Sequence, residues 1–195
     1  MVKKWIPLII AIFLLEGCMG IGLYEDPKIL DKGESRLGVG IPFGYIRSGF
    51  LILPIPEIYY RHGVGSNQDF LIQAPLLLLG SDGGIVALGG KYRFGLSEGI
   101  LSLGLNSFIS SENYFYLSSG GIYYRIQPRS LIGVQAMTGI CNGCENSNVI
   151  LRFYVGNRSK WKSNYIYNSF QLIFYKSNVI GMLQTGIEIP LGENR

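Results

Sequence analysis

From residue 35 onward, apolar and polar positions alternate with a period of two, in runs rich in Ile, Leu, Val, Tyr and Phe. Clusters of Gly, Ser, Asn and Asp separate the runs, and no sustained helical period appears, which is the pattern of strands and turns. Ten strands are predicted, over 35–44, 50–62, 69–79, 84–94, 99–108, 113–126, 131–140, 147–156, 164–175 and 178–190. Ser81-Asp82-Gly83-Gly84, Gln127-Pro128-Arg129-Ser130 and Lys176-Ser177-Asn178 have turn chemistry and are short enough to join neighbours as hairpins. The fold class is therefore all-β: an up-and-down antiparallel meander that closes as a small barrel of about ten strands, with eight as the alternative.

Alternation alone does not say which face meets water, because soluble and membrane barrels share it. The content of the less apolar face decides. In the fourth run Val86, Leu88, Gly90, Tyr92 and Phe94 oppose Ile85, Ala87, Gly89, Lys91 and Arg93; in the eighth, Val149, Leu151, Phe153 and Val155 oppose Ile150, Arg152, Tyr154 and Gly156. A water-facing side would carry more Lys and Glu. Small residues, Tyr and a few Arg instead suit a narrow interior, with the apolar face turned to lipid. Composition agrees: charged residues are 15% of the chain, glycines number 27 and the mean hydropathy is +0.26, whereas a soluble domain holds roughly 25% charged residues. The net charge of +4 is spread without a basic run, so nucleic acid is not expected as a partner.

The amino terminus reads as a targeting segment, with Lys3 and Lys4 ahead of the apolar stretch Trp5 to Leu15. That stretch is too short to span a bilayer comfortably. Leu15-Glu16-Gly17-Cys18 then resembles the lipobox of bacterial lipoproteins, although Glu16 stands where that family has a small residue. The resemblance implies a signal peptide over 1–17, transfer of diacylglycerol and further acylation at Cys18, and attachment to membrane lipid there. The other reading is an ordinary cleaved leader; both put the chain outside the cytoplasm. Residues 18–33, with Gly, Pro and scattered charge, are expected to form a flexible tether, and 34–195 the barrel domain.

Pro56-Glu57-Ile58-Tyr59-Tyr60-Arg61-His62-Gly63 and Gly90-Lys91-Tyr92-Arg93-Phe94, set in that strand pattern, make the region from about 35 to 190 similar to the small outer-membrane β-barrel proteins of diderm bacteria, lipoproteins among them. Two features depart from the family. The chain ends Ile189-Pro190-Leu191-Gly192-Glu193-Asn194-Arg195 without a terminal aromatic residue, and Pro54, Pro56 and Pro75 lie in strand runs. The resemblance implies an outer-membrane location and no particular activity. The expectation is a structural or interaction role without enzymatic activity or cofactor; the alternatives are a small-solute channel or binding barrel, and a soluble lipid-anchored β domain at the periplasmic face of a membrane.

Chemistry-bearing residues are few. His62 is the sole histidine, on the lipid-side parity of its run near a turn, and no hydrolase elbow, zinc-protease or phosphate-loop motif occurs. Cys141-Asn142-Gly143-Cys144 has no helix to lower a thiol pKa and no second pair of ligands for a metal, so it is expected to close a disulfide in an oxidising compartment. Parity turns Glu57, Arg61, Asp69, Lys91, Arg93, Arg125, Arg152 and Glu188 inward, three acids against five bases. Unpaired, they would be costly in so narrow a space, so a hydrogen-bonded network that plugs the lumen is expected, with Arg61 and Asp69 meeting across the Gly63–Gln68 hairpin.

Overall fold

The structure, a computed structural model, describes residues 25–46, 56–75, 86–109, 114–141, 149–175 and 178–192. It contains ten strands: β1 Ser35–Ile46, β2 Glu57–Gly65, β3 Gln68–Pro75, β4 Val86–Gly95, β5 Gly99–Ile109, β6 Tyr114–Gln127, β7 Ser130–Cys141, β8 Val149–Trp161, β9 Asn164–Tyr175 and β10 Asn178–Leu191. Each pairs antiparallel with its sequence neighbours, and β1 pairs with β10, so the sheet closes on itself and leaves no edge. All ten match the runs read from the sequence. Among the described boundaries the end of β8 moves furthest, continuing five residues past Gly156 to Trp161; residues 50–55 of the second predicted run and 76–79 of the third lie outside the described residues.

Backbone pairing also fixes the stagger of the barrel. The row that starts at Ile46 passes through Ile180, Ile173, Arg152, Gln135, Gly121, Ser102, Arg93, Asp69 and Gly63. It returns to the first chain segment at Glu34, whose carbonyl accepts from Gly63 N, twelve residues below its start. A hydrogen-bonded row therefore runs obliquely from one end of the barrel to the other, as closure of a tilted sheet requires.

At one end, called here the terminal end, lie Ser35, Leu191 and four short described turns, among them Ser66-Asn67, Pro128-Arg129 and Lys162-Ser163. Lys162 has φ 56°, the left-handed conformation favoured in a two-residue hairpin turn without a flanking bulge. At the other end, the loop end, lie the last described residues of β1 and β3, Ile46 and Pro75, and the first of β2 and β4, Glu57 and Val86.

The two faces of the sheet are opposite in character. In β8, exposed and buried residues alternate strictly from Val149 to Ser159. The exposed set of the barrel is apolar, including Leu105 at 57% exposure, Ile122 at 61% and Val149 at 63%. Buried residues include Arg36, Arg61, Arg93, Arg152 and Gln135. Apolar side chains face out and charges face in, the reverse of a water-soluble domain. Toward the loop end the interior holds an apolar cluster of Leu117, Met137, Ile150, Ile173, Ile180 and Met182. Further down, Tyr123 lies across Gly121 and Gly133, where an added Cβ would come within 2.7 and 2.3 Å of its side chain, so these glycines make room for the ring.

The expectation of a free tether is corrected over its described part. Residues 25–30 run inside the barrel, with Glu25, Asp26, Ile29 and Leu30 buried; only Asp31 to Gly33 are exposed. The domain thus begins at least as early as Glu25. Gly63 permits the entry, because a Cβ there would lie 2.0 Å from the Asp31 carbonyl oxygen. Gly33 N donates to Gly63 O at 2.8 Å, and Gly63 N to Glu34 O at 2.9 Å, so the incoming chain is stitched to β2 at the rim.

Candidate functional site in the lower lumen

The half of the lumen nearest the terminal end is the most densely functionalised part of the molecule. Three carboxylates from separate stretches of chain, Asp26, Asp69 and Glu188, surround one guanidinium. Arg61 donates to Asp26 at 2.6 Å, to Asp69 at 2.8 Å and to Glu188 at 3.0 Å. Arg93 grips Asp69 with two donors, Nε at 2.7 Å and Nη2 at 2.6 Å, a paired geometry that only a guanidinium supplies. Arg36 donates to Glu188 at 3.0 Å and also binds Glu34. The Tyr167 hydroxyl sits 2.6 Å from Asp26 and 2.7 Å from Glu188. Tyr165 lies under two cations, with Arg158 Cζ 3.6 Å and Arg36 Cζ 4.4 Å from its ring centre.

The inserted segment climbs as its chain runs backward from the rim. Leu30 N donates to Asp69 at 3.0 Å. Lys28 O accepts from Arg61 at 2.9 Å and Arg93 at 3.2 Å. Pro27 O accepts two bonds from Arg125, and Asp26 O one from Arg93. Glu25, the deepest described residue, accepts from Ser102 at 3.0 Å and Lys91 at 3.2 Å through its carboxylate, and from Tyr154 at 2.9 Å through its carbonyl. Burial works to raise the pKa of Asp26, but the charges of Arg61, Arg158 and Arg93 outweigh it and hold the group at about 2. Glu34 at the rim is also held below the usual carboxylate range: burial opposes this, and Lys28 and Arg36 overcome it.

Of the residues expected in the lumen, Arg61, Asp69, Arg93 and Glu188 join in one network. Lys91 meets Glu25, and Arg125 meets the main chain of the segment. Glu57 and Arg152 are buried higher up: Glu57 opens β2 at the loop end, and Arg152 stands nine residues before the end of β8 at Trp161. Sequence reasoning missed Glu25, Asp26, Arg36, Arg158, Tyr165 and Tyr167. Among the described residues of the lumen wall, seven bases (Arg36, Arg61, Lys91, Arg93, Arg125, Arg152, Arg158) face three acids (Glu57, Asp69, Glu188). The excess of bases was visible in the sequence, and it was the signal that acidic groups had to come from elsewhere in the chain.

His62 lies on the outer face, half-buried beside Tyr60 and Phe70, with Nδ1 2.7 Å from Ser35 Oγ. The bonds described for it run to the neutral hydroxyls of Ser35 and Tyr60. Among the described residues no group of three or more His, Cys, Asp or Glu is placed to hold a metal ion. Cys18 and Cys144 lie outside the described residues, as does the side chain of Cys141, so lipidation and the disulfide stand as expectations.

No family model and no curated protein matches the chain. Similar solved structures include a de novo designed transmembrane β-barrel, 11% identical over 84% of this chain and 100% of its own, with a TM-score of 0.38. The KdgM porin is 7% identical over 80% and 99%, with a TM-score of 0.47. Ail, the attachment invasion locus protein of Yersinia pestis, is 12% identical over 82% and 99%, with a TM-score of 0.34. Likeness at this level carries no function across, and the barrel stands on its own closed ladder.

Proposed function

We propose that this chain is an outer-membrane β-barrel whose outer face is solvated by lipid, whose lumen is sealed by its own amino-terminal segment, and whose role is structural or interactive rather than catalytic or pore-forming. The observation that carries the reading is the insertion of Glu25–Leu30 into the lumen, bonded on several sides by charged wall residues. A solute passing along the barrel would have to break that network. The apolar exterior supports the membrane setting, since a contiguous apolar belt exposed to water would be a severe solubility liability. The short described turns at the terminal end favour it as periplasmic.

Lipid attached at Cys18 is part of the same reading, supported by the leader and the lipobox-like Leu15-Glu16-Gly17-Cys18. Refolded full-length protein is expected to show heat-modifiable gel migration, to enter bilayers and to conduct no ions across a planar membrane. Steady single-channel conductance of the parent chain would overturn the sealed-barrel reading, and solubility without detergent would overturn its membrane setting.

A further inference from the structure

The inserted segment is held in the manner of a ligand. Two features of the contact define what the site selects. The adjacent carboxylates of Glu25 and Asp26 each meet donors from several strands: Lys91 and Ser102 for Glu25, and Arg61, Arg158 and Tyr167 for Asp26. Any anion of suitable spacing could satisfy those groups. The carbonyls of Asp26, Pro27 and Lys28 are narrower in meaning: three in succession accept from Arg93, Arg125 and Arg61. Only a peptide presents carbonyls at that interval. Pro27 restricts its own φ and biases Asp26 toward extended backbone, so the segment loses less freedom on entering the lumen than a freely rotating chain would. With the segment set aside, the described wall bases exceed the described wall acids by four, and the carboxylates of Glu25 and Asp26 offset part of that excess.

We infer that the lower lumen is a recognition site for a peptide carrying two consecutive carboxylates ahead of a proline and bent after it, occupied here by the chain's own Glu25-Asp26-Pro27 and able to take the same motif from another protein chain. The inference rests on the reading that the segment seals the lumen, but not on the membrane setting, and it is tested in detergent, apart from any conductance measurement. Attachment favours the resident segment. A tethered peptide acts at an effective concentration in the millimolar range, so a competitor gains entry mainly when the resident segment is weakened or drawn away.

The test uses full-length protein, parent and a Glu25→Gln/Asp26→Asn double variant, each also carrying Ile29→Cys as a reporter of whether the segment is inside. Heat-modifiable migration shows that each barrel is folded. Ile29 is buried in the parent, so its cysteine is expected to resist a bulky thiol reagent there and to react at least about tenfold faster in the double variant. A labelled peptide of sequence 25–34 is then expected to bind the double variant saturably, at least about tenfold more tightly than it binds the parent. The same peptide with both carboxylates neutralised is expected to lose about tenfold or more. Equal binding of the acidic and neutralised peptides would overturn the inference, as would no saturable binding to a variant whose segment has left. A neutralised segment that stays fully shielded would do so too, because the carboxylates would then not be what the site selects. Failure of the parent to seal a bilayer, with peptide binding intact, would count against the sealed-barrel role alone.

Discussion

The two halves of the lumen are walled by the same ten strands, yet they are filled by different means. Toward the loop end the walls fill the space themselves, with Leu117, Met137, Ile150, Ile173, Ile180 and Met182 meeting across it. Toward the terminal end the described walls carry an excess of bases, and a separate piece of chain completes the packing and supplies the carboxylates of Glu25 and Asp26. Every carboxylate oxygen of Asp26, Asp69 and Glu188 accepts at least one hydrogen bond. Unpartnered buried polar atoms occur in both halves, on the guanidinium nitrogens Arg61 Nε, Arg158 Nε and Arg158 Nη2 in the lower and on both amide atoms of Gln73 in the upper, but the carboxylates of the lower half that face Arg61 are all satisfied. An apolar filling tolerates imperfect fit at modest cost, whereas a charged filling is stable only when each member is matched. The lower half is therefore the more specific structure and the more fragile one.

The sharpest way to break the comparison is Arg61→Ala. It removes the donor shared by three buried carboxylates, which remain in place without it. The expected loss is about 3–5 kcal/mol of folding stability, the range for breaking a buried ion pair from one side. Urea unfolding of refolded protein in lipid or detergent measures it, and the segment is expected to become accessible to thiol labelling at Ile29→Cys. A loss below about 1 kcal/mol would mean that the network is solvated rather than buried.

In the other half, Ile173→Ala deletes a fully buried side chain from the apolar cluster. About 2–4 kcal/mol is expected, because the closed ladder on both sides of β9 limits collapse of the cavity. Unlike Arg61→Ala, this change is expected to leave the segment inserted and shielded. Release of the segment by both variants alike would show that the two halves are one cooperative unit.

Much of this architecture was legible in the sequence because a barrel strand declares itself twice, by its period and by the turn residues that bound it. All ten strands and the inward parity of Arg61, Asp69, Arg93 and Glu188 follow from that alone. Arg158 is not marked in the sequence because the apolar exterior of β8 gives way to Asn157 and Ser159, so the apolar alternation ends while the ladder continues to Trp161. Arg36 was passed over beside Gly38 and Gly40, which share its side but carry no side chain to mark it as inward. Glu25 and Asp26 were illegible by period, since the segment is neither helix nor strand. Their partners are distant in sequence, Tyr167 by 141 residues in the case of Asp26. Only the charge imbalance of the wall pointed to them.

The mildest probe of the comparison is pH, and it acts on the lower half through Asp26. Arg61, Arg158, Arg93 and Tyr167 face this carboxylate, with Arg36 at 3.9 Å and Glu188 sharing the Tyr167 hydroxyl. Burial alone would raise its pKa, but the surrounding cations lower it from 3.8 to about 2. A group whose folded pKa is depressed lends stability that is fully present above its unfolded value and is lost as pH falls through the folded one. The window is therefore pH 4 down to pH 2, and a shift of this size corresponds to a contribution on the order of 2 kcal/mol. Other acids titrate in the same range, so the measurement is a difference: the thermal midpoint, read by heat-modifiable migration at pH 5, 4, 3 and 2, for the parent and for Asp26→Asn. The parent is expected to lead at pH 5 and the two to converge by pH 2, because protonation turns the parent's carboxylate into a neutral group like the amide. A gap between them that stays constant from pH 5 to pH 2 would mean that Asp26 does not enter the lumen as an anion, and the charge balance of the lower half would then need another source.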